Sequence, residues 1–257
     1  MRADAAGLAN TLLTIGPGVR VVVAVDGPDA AVEAEARSLG AETVVLPVAG
    51  GSYAARNAAL DLVLADEGIE VVAFTDAGCL VSPSWLDAHV QALAGHDMSG
   101  GAVEVPLPSR PSPAEYVDAR RNLRQEAYVN EGGYAATCNL AVRRAVVESM
   151  RFDDRLQSGG DREFCLRARA AGFSLVYSPE ASIVHPPRQS WGSVLAKARR
   201  VGGGVRGLPA SELPAPRFGF GLAKALARGR GVGGVPWVMQ VAALDYLRTR
   251  AFVRAAR

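Results

Sequence analysis

The chain has 257 residues, 49% of them hydrophobic, which suffices for one large folded domain or for a domain with an extension. It has no run of 18 or more uninterrupted apolar residues and no apolar signal core after Met1, so neither a membrane-spanning helix nor a secretory leader is predicted. The three cysteines lack CxxC or zinc-ligand spacing, which argues against a disulfide framework and predicts small buried thiols in a reducing compartment.

The net charge of +2 hides an uneven distribution along the chain. Residues 186–257 contain 13 basic and two acidic residues, a net charge of +11, whereas residues 1–185 carry a net charge of −9. Such a basic segment favours an anionic partner, for example a lipid headgroup or a diphosphate, and a solvated arginine-rich surface is the other interpretation. Because basic residues are not interleaved with aromatic ones, we expect no binding to nucleic acid.

Helical and strand patterns alternate in the first half of the chain. The predicted helices are 5–13, 30–39, 54–65 and 83–93, and the predicted strands are 19–25, 43–48 and 71–75. Near-continuous apolar runs in these strands are typical of a sheet buried on both faces. The alternation predicts an α/β fold with a doubly wound, mostly parallel sheet.

The second half is less regular. A polar helix is predicted near 114–128 after a proline-rich segment, followed by a strand at 138–142, a helix at 162–171 and a short strand at 174–177. Beyond His185, repeated glycines predict a looser region with one amphipathic helix near 236–253. That helix either lies at a membrane interface or packs on the core. His89 and His96 belong to no motif, and we expect both at the surface.

Asp76 directly follows the predicted strand 71–75 and precedes a loop and a helix. A carboxylate at the carboxyl end of a strand in an open α/β sheet lies where such folds bind ligands. Asp76 is therefore placed to hold a metal ion or a ribose; the alternative is that it only caps the next turn.

Two further segments carry groups suited to a nucleotide. Asp26 ends the strand 19–25, where its carboxylate accepts a base N–H or a ribose hydroxyl, or else holds a turn. Gly50 and Gly51 precede the helix that carries Arg56. Backbone amides at that helix start favour an anion, and the Arg56 guanidinium adds a planar donor fork for a base carbonyl or a phosphate.

Asp161 follows Gly159 and Gly160 at the start of a predicted helix. The amides at a helix start favour an ionised carboxylate, and the two glycines permit close approach of a second molecule. Asp161 is thus a candidate for acid–base chemistry, for an N-cap, or for both.

Six segments form an ordered set along the chain: Val21–Gly27, Gly50–Asn57, Phe74–Cys79, Cys138–Arg144, Gly159–Arg167 and Ser178–His185. In this order and spacing they resemble the family 2 glycosyltransferases of GT-A fold, over roughly residues 5–203. The resemblance implies a GT-A (Rossmann-like) core at 1–185 and a basic, partly helical C-terminal extension at 186–257. It also implies that the chain opens at the family's first helix, without the strand that usually precedes it.

This resemblance implies an inverting transferase that moves a sugar from a nucleotide-diphosphate donor to a hydroxyl of a glycan, lipid-linked or small-molecule acceptor. The matching positions make Asp161 the general base, and Gly159 and Gly160 the acceptor side. The matching donor-binding residues are Asp26, Gly51, Arg56 and Asp76. The implied setting is glycan biosynthesis in the cytoplasm, with contact to an anionic inner membrane face.

Asp76 also matches the first acid of the family's DxD motif, and His185 matches a histidine that completes a metal shell. The resemblance therefore implies Mn²⁺ or Mg²⁺ held by Asp76, His185 and the donor diphosphate. Gly78 replaces the second acid of that motif, and Pro28 departs from the pattern after Asp26. These departures keep open a catalytically degenerate protein that binds nucleotide-sugar without turnover. A nucleotidyltransferase is a weaker alternative, because it would need a glycine-rich, lysine-containing first loop.

Overall fold

The computed structural model describes residues 5–205, 214 and 234–257. The strands are β1 Val22–Val25, β2 Glu42–Val45, β3 Val71–Thr75, β4 Leu80–Val81, β5 Met98–Glu104, β6 Asn139–Arg143 and β7 Leu175–Val184. The helices are α1 Ala5–Ile15, α2 Ala30–Ser38, α3 Ser52–Leu64, α4 Trp85–Ala92, α5 Pro113–Arg121, α6 Gln125–Asn130, α7 Arg144–Ser149, α8 Gly160–Ala170, α9 Trp191–Gly203 and α10 Gly234–Ala256.

The strands form two sheets, which confirms the predicted α/β class and corrects the predicted pairing. Strands β1 and β2 form a two-stranded parallel sheet, and the other sheet has the order β3-β6-β5-β7-β4. In that larger sheet β5 and β7 are parallel, whereas the pairs β3–β6, β5–β6 and β4–β7 are antiparallel. The sheet is therefore mixed and not mostly parallel, and no described strand joins β1 to β3.

A continuous hydrophobic core fixes the elements that carry the candidate site. It includes Leu60 of α3, Phe74 of β3, Leu140 of β6 and Phe164 of α8, all buried. The ring of Phe152 stacks on Phe164 and meets Phe74 edge to face, with ring centroids 4.4 and 5.6 Å apart. Because α3, β3 and α8 share this core, polar residues at their ends hold fixed relative positions.

Strand β5 is absent from the sequence predictions because its composition is unusual for a strand. Its segment Met98–Glu104 contains Gly100 and Gly101, and glycine weakens a strand pattern. A Cβ atom at Gly101 would lie 2.0 Å from the carbonyl oxygen of Ala181 in β7. Only glycine allows this close approach of the two backbones, so tertiary contact outweighs local propensity here.

The polar helix predicted at 114–128 is two helices. Ser112 begins α5 with a reciprocal capping box to Glu115. The break after α5 lies at Leu123, which has a φ of 56°, a left-handed conformation that a helix cannot contain.

His89 is buried, contrary to the expectation that it lies at the surface. Its Nδ1 lies 2.9 Å from Ser99 Oγ, and its Nε2 lies 2.9 Å from Asn139 Oδ1. Burial lowers the pKa of His89 to about 4, so the ring is neutral at physiological pH and links α4 to strands β5 and β6. His96 is half-buried, and it lines an open cavity of about 550 Å³ beside Arg169.

The chain divides into two compact units. The first contains residues 1–104, 124–156 and 160–185, and the second contains residues 105–123, 157–159 and 186–257. The second unit therefore takes in α5 as well as the segment after His185. An independent domain at 186–257 stays a prediction.

The described part of the second unit contains more helix than its glycines suggest. Helix α9, which the sequence does not predict, begins at the N-cap Ser190, whose hydroxyl accepts from the Ser193 amide. Helix α10 confirms the predicted amphipathic helix. Its apolar residues Val238, Val241 and Leu244 pack in a core, as the second of the two interpretations expects. The predicted glycine breaks at 229, 231 and 233 lie outside the described residues.

No helix in the described part of the chain combines the length and the apolar character needed to cross a membrane.

Candidate active site

Asp76 and Arg56 form an ion pair at the end of β3. Arg56 lies on α3, and its Nη2 donates to Asp76 Oδ1 over 2.7 Å. The Arg56 side chain is only 16% exposed, whereas that of Asp76 is 42% exposed. The pair therefore places a fixed guanidinium and a solvent-accessible carboxylate side by side. Contact of either group with a donor stays a prediction.

Asp161 lies in the first turn of α8, and its Oδ1 accepts from the Arg162 amide over 2.9 Å. Burial raises the pKa of Asp161; the positive charge of Arg56 opposes this rise and the negative charge of Asp76 adds to it. The three charged groups are therefore close enough to affect one another. A carboxylate with a raised pKa is a stronger base than an ordinary aspartate, which is the property that a general base needs.

Tyr53 connects these groups, and the sequence analysis did not identify it. Its hydroxyl accepts from the Gly160 amide over 2.9 Å, at the start of α8. The Arg56 guanidinium lies 5.9 Å from the centre of its ring. The available signal was the i, i+3 spacing of Tyr53 and Arg56, which places both side chains on one face of α3.

Asp26 holds the loop before α3. Its Oδ1 accepts from the amides of Gly50 and Gly51, over 2.7 and 2.9 Å. Gly51 is the N-cap of α3 and has a φ of 93°, a conformation that favours glycine. These two amides are thus engaged by a carboxylate of the protein itself. Contact of Asp26 or Gly51 with a donor stays a prediction.

The glycines before Asp161 have different reasons for lacking a side chain. Gly159 has a φ of +81°, which strains any other residue. A Cβ atom at Gly160 would lie 2.7 Å from the ring of Tyr53. The Gly160 requirement is therefore explained by Tyr53, and a role of the two glycines in binding an acceptor stays a prediction.

His185 follows β7, and the strand register brings its backbone to the Asp76 loop. Leu80 of β4 pairs with Val184 of β7 in an antiparallel ladder, so the next position places His185 across from Cys79. The His185 amide donates to the Glu104 carbonyl over 2.8 Å.

The cysteines are buried free thiols, in agreement with the sequence analysis. Burial, together with the charge of Asp76, raises the pKa of Cys79 to about 12. Burial likewise raises the pKa of Cys165 to about 12. These thiols are protonated at neutral pH and are unsuited to nucleophilic or metal-binding roles.

Residues 5–205, 214 and 234–257 contain no group of three or more histidine, cysteine or carboxylate side chains arranged to hold a metal ion. Asp76 already accepts from Arg56 through one oxygen. Because Mn²⁺ and Mg²⁺ prefer about six ligands, Asp76 and His185 alone do not form a metal cage. An ion held by Asp76 and His185 stays a prediction, and it would need further ligands from a bound diphosphate and from water.

Comparison with known proteins identifies the family of this chain. The family described as "Glycosyltransferase like family 2" matches residues 8–204. Glycosyltransferase AglE of Haloferax volcanii is 36% identical over 157 residues, which make up 60% of this chain and 50% of AglE. The chain thus spans about half the length of this relative.

Solved structures share the fold at low sequence identity. Mannosyltransferase PcManGT from Pyrobaculum calidifontis, solved with GDP-Man and Mn²⁺, matches 99% of this chain and 71% of its own, with a TM-score of 0.58 and 16% identity. S. aureus TarS matches 77% of this chain and 38% of its own, with a TM-score of 0.50 and 15% identity.

At these identities the structural likeness shows the fold alone, and it confirms the predicted GT-A architecture. The family match covers most of the chain and includes the segments that carry Arg56, Asp76 and Asp161. The chain therefore belongs to glycosyltransferase family 2.

Proposed function

We propose that this protein is an inverting glycosyltransferase that moves a sugar from a nucleotide-diphosphate donor to a hydroxyl group of an acceptor. The observation that carries the proposal is that Tyr53 contacts both the start of α8, where Asp161 lies, and Arg56 of the Arg56–Asp76 pair. This arrangement combines a base with a fixed cation at the carboxyl end of a strand, where α/β folds bind ligands. Membership of family 2 supports the same reaction class.

The donor lies along β3 and the N-terminus of α3 in this proposal. Arg56 contacts the diphosphate, Asp76 contacts the ribose or a bound ion, and the loop of Asp26 and Gly51 borders the nucleoside. The neighbour PcManGT, solved with GDP-Man, supports a nucleotide-diphosphate sugar as the donor class.

Asp161 acts as the general base. It accepts the proton of the acceptor hydroxyl while the hydroxyl oxygen forms a bond to the anomeric carbon of the sugar. The bond between that carbon and the phosphate oxygen breaks, and the nucleoside diphosphate leaves with the bonding electrons. The guanidinium of Arg56 stabilises the negative charge that develops on the leaving group. Attack from the face opposite the leaving group inverts the anomeric centre.

A bound divalent ion would supply a second positive charge to stabilise the leaving diphosphate. Asp76 and His185 are the residues that would hold Mn²⁺ or Mg²⁺ together with the diphosphate oxygens. The neighbour PcManGT was solved with Mn²⁺, which supports this assignment.

The acceptor is a glycan, lipid-linked or small-molecule hydroxyl that approaches past Gly159 and Gly160, and the reaction serves glycan biosynthesis. The enzyme works in the cytoplasm, in contact with an anionic inner membrane face. Free buried thiols support a reducing compartment, and the net charge of +11 on residues 186–257 supports the membrane contact.

The test of the reaction is an Asp161→Asn variant. It keeps the size of the side chain and removes the base, so transfer to the acceptor should fall by about 10²-fold or more, the scale of a positioned base. Donor binding, measured by calorimetry with UDP- and GDP-sugars, should change little. Near wild-type transfer would remove Asp161 from the mechanism. Donor binding without turnover in the wild type, across a panel of acceptors, would favour the degenerate binding protein.

The metal assignment has a separate test. Binding of UDP or GDP should be much tighter with Mn²⁺ than with EDTA, and His185→Ala should reduce that difference. His96→Ala is the matched control, since His96 lies in a different cavity. Equal affinity in EDTA would show that Arg56 and other cations stabilise the diphosphate without a metal ion.

A further inference from the structure

A groove of about 400 Å³ lies between α9 and α10 in the second unit. Its apolar lining comes from Leu195 of α9 and from Leu247 and Ala251 of α10. Leu247 is 40% exposed, so part of this apolar lining is accessible to solvent. Among the residues that the structure describes, the groove therefore presents accessible apolar surface.

Three arginines, Arg199, Arg250 and Arg254, line the same groove. All three are exposed, and none forms an ion pair with any residue that the structure describes. Asp245, the described acid of the segment after His185, is occupied by Arg121 and Arg248. The positive charge of the groove is thus not neutralised by a described acidic side chain, and it complements an anion.

The outer face of α10 extends this combination. Val235 and Met239 are 68% and 41% exposed, although Val238 and Val241 on the inner face are buried in the core. Exposed apolar side chains beside unneutralised arginines suit a partner that is both anionic and apolar. A small soluble anion would explain the arginines but not the exposed Leu247 and Met239. An uncharged apolar partner would explain these two side chains but not the arginines.

We propose that the groove between α9 and α10 binds the phosphate of an anionic phospholipid, with Leu247 and Met239 against the lipid chains. The inference deepens the membrane contact of the proposed function: it names the residues that make it and does not require transferase activity. The arginines contact the headgroup phosphate, and guanidinium groups bind phosphate with paired hydrogen bonds.

The experiment is flotation of the full-length protein with phosphatidylglycerol vesicles at low salt, with phosphatidylcholine vesicles as the neutral reference. The variant replaces Arg199, Arg250 and Arg254 with glutamine. Each basic residue near an anionic surface strengthens binding by about fivefold, so the vesicle affinity of this triple variant should fall by about 100-fold. The control replaces Arg110, Arg200 and Arg257, which are exposed and lie outside the groove lining. It removes the same charge, and its affinity should fall by less than about tenfold.

A second arm separates lipid from soluble anion. Leu247→Ser should weaken vesicle binding several-fold, and millimolar inorganic phosphate should not displace the wild-type protein. Equal losses in the two triple variants would overturn the groove assignment, because the attraction would then depend on total charge alone. Displacement by inorganic phosphate together with an unaffected Leu247→Ser variant would instead identify a site for a soluble anion.

Two measurements keep these outcomes interpretable. Thermal melting should place every variant close to the wild type, and the single variant Arg250→Gln replaces the triple variant if that protein does not fold. Donor binding by calorimetry should be the same in all of them. A variant that loses lipid binding and keeps donor binding tests only the groove. A wild-type protein that binds no donor would count against the proposed transferase and not against the lipid site.

Discussion

Burial of the Asp161 carboxylate affects the stability of the folded protein as well as catalysis. Burial raises the pKa of Asp161 above its ordinary value of 3.8, so ionisation costs more in the folded protein than in the unfolded chain. Stability contributed at this site is therefore greatest below the ordinary pKa, and it falls as the pH rises through the raised pKa. Asp161→Asn should melt at a higher temperature than the wild type at pH 7, with the difference closing near pH 3.

Asp153 is a control residue, because its pKa is shifted in the direction opposite to that of Asp161. It pairs with Arg155 over 2.8 Å, and this ion pair lowers its pKa to about 2. The ion pair of Asp153 stabilises the folded protein above the ordinary carboxyl pKa, and this stabilisation is lost as the pH falls. Asp153→Asn should therefore melt at a slightly lower temperature than the wild type at pH 7. A lower melting temperature for Asp161→Asn at pH 7 would show that Asp161 makes favourable contacts that outweigh its burial.

Tyr53 acts on the base through the backbone of α8. In Tyr53→Phe the ring still packs against Phe152, but the buried Gly160 amide loses its acceptor. An unpaired buried amide costs about 1–3 kcal/mol, and the start of α8 should shift to find another partner. Since Asp161 lies next to Gly160, we expect kcat to fall about tenfold with little change in donor affinity.

The control for Tyr53 is Tyr116→Phe, which changes another buried tyrosine in the second unit. Steady-state kinetics with both variants distinguish positioning from general stability. An equal loss in the two variants, or a loss of donor affinity without a change in kcat, would contradict a positioning role for Tyr53.

At the scale of elements, the β5–β7 pairing depends on one glycine. Gly101→Ala would bring a methyl group to 2.0 Å from the Ala181 carbonyl and 2.4 Å from Asn139 Nδ2. Overpacking of this kind costs about 1–3 kcal/mol or more, and urea denaturation should show the loss. Gly95→Ala is the control, because no heavy atom lies within 4 Å of its added Cβ. A Gly101 variant as stable as the Gly95 variant would mean that β5 and β7 separate at little cost.

At the scale of the whole molecule, the separation of charge predicts salt-dependent behaviour. The segment 186–257 carries +11 and the remainder −9, although the net charge is only +2. Adsorption to phosphatidylglycerol vesicles at low salt should be lost near 0.5 M salt, where the screening length is well below about 10 Å. Co-sedimentation across a salt series measures this. Failure to adsorb at low salt would indicate that the arginines are only solvated.

The sequence by itself determined the features that depend on local order. The apolar run 71–75 is β3 to the residue, and the motifs identified the family. These follow from neighbouring side chains, whose periodicity and turn chemistry act over a few residues. The residue types at Arg56, Asp76 and Asp161 likewise indicate a cation and two carboxylates suited to binding a ligand and accepting a proton.

Only the tertiary structure decided which of those residues share an environment and which elements form against local preference. Strand β5 exists because two glycines admit the backbone of β7 and the side chains of α6, and His89 is buried because Ser99 and Asn139 satisfy its ring. Tyr53 meets Gly160 across a separation of 107 residues. Such contacts depend on packing between distant segments, and the energy of a burial or a close approach is fixed only when both partners are in place.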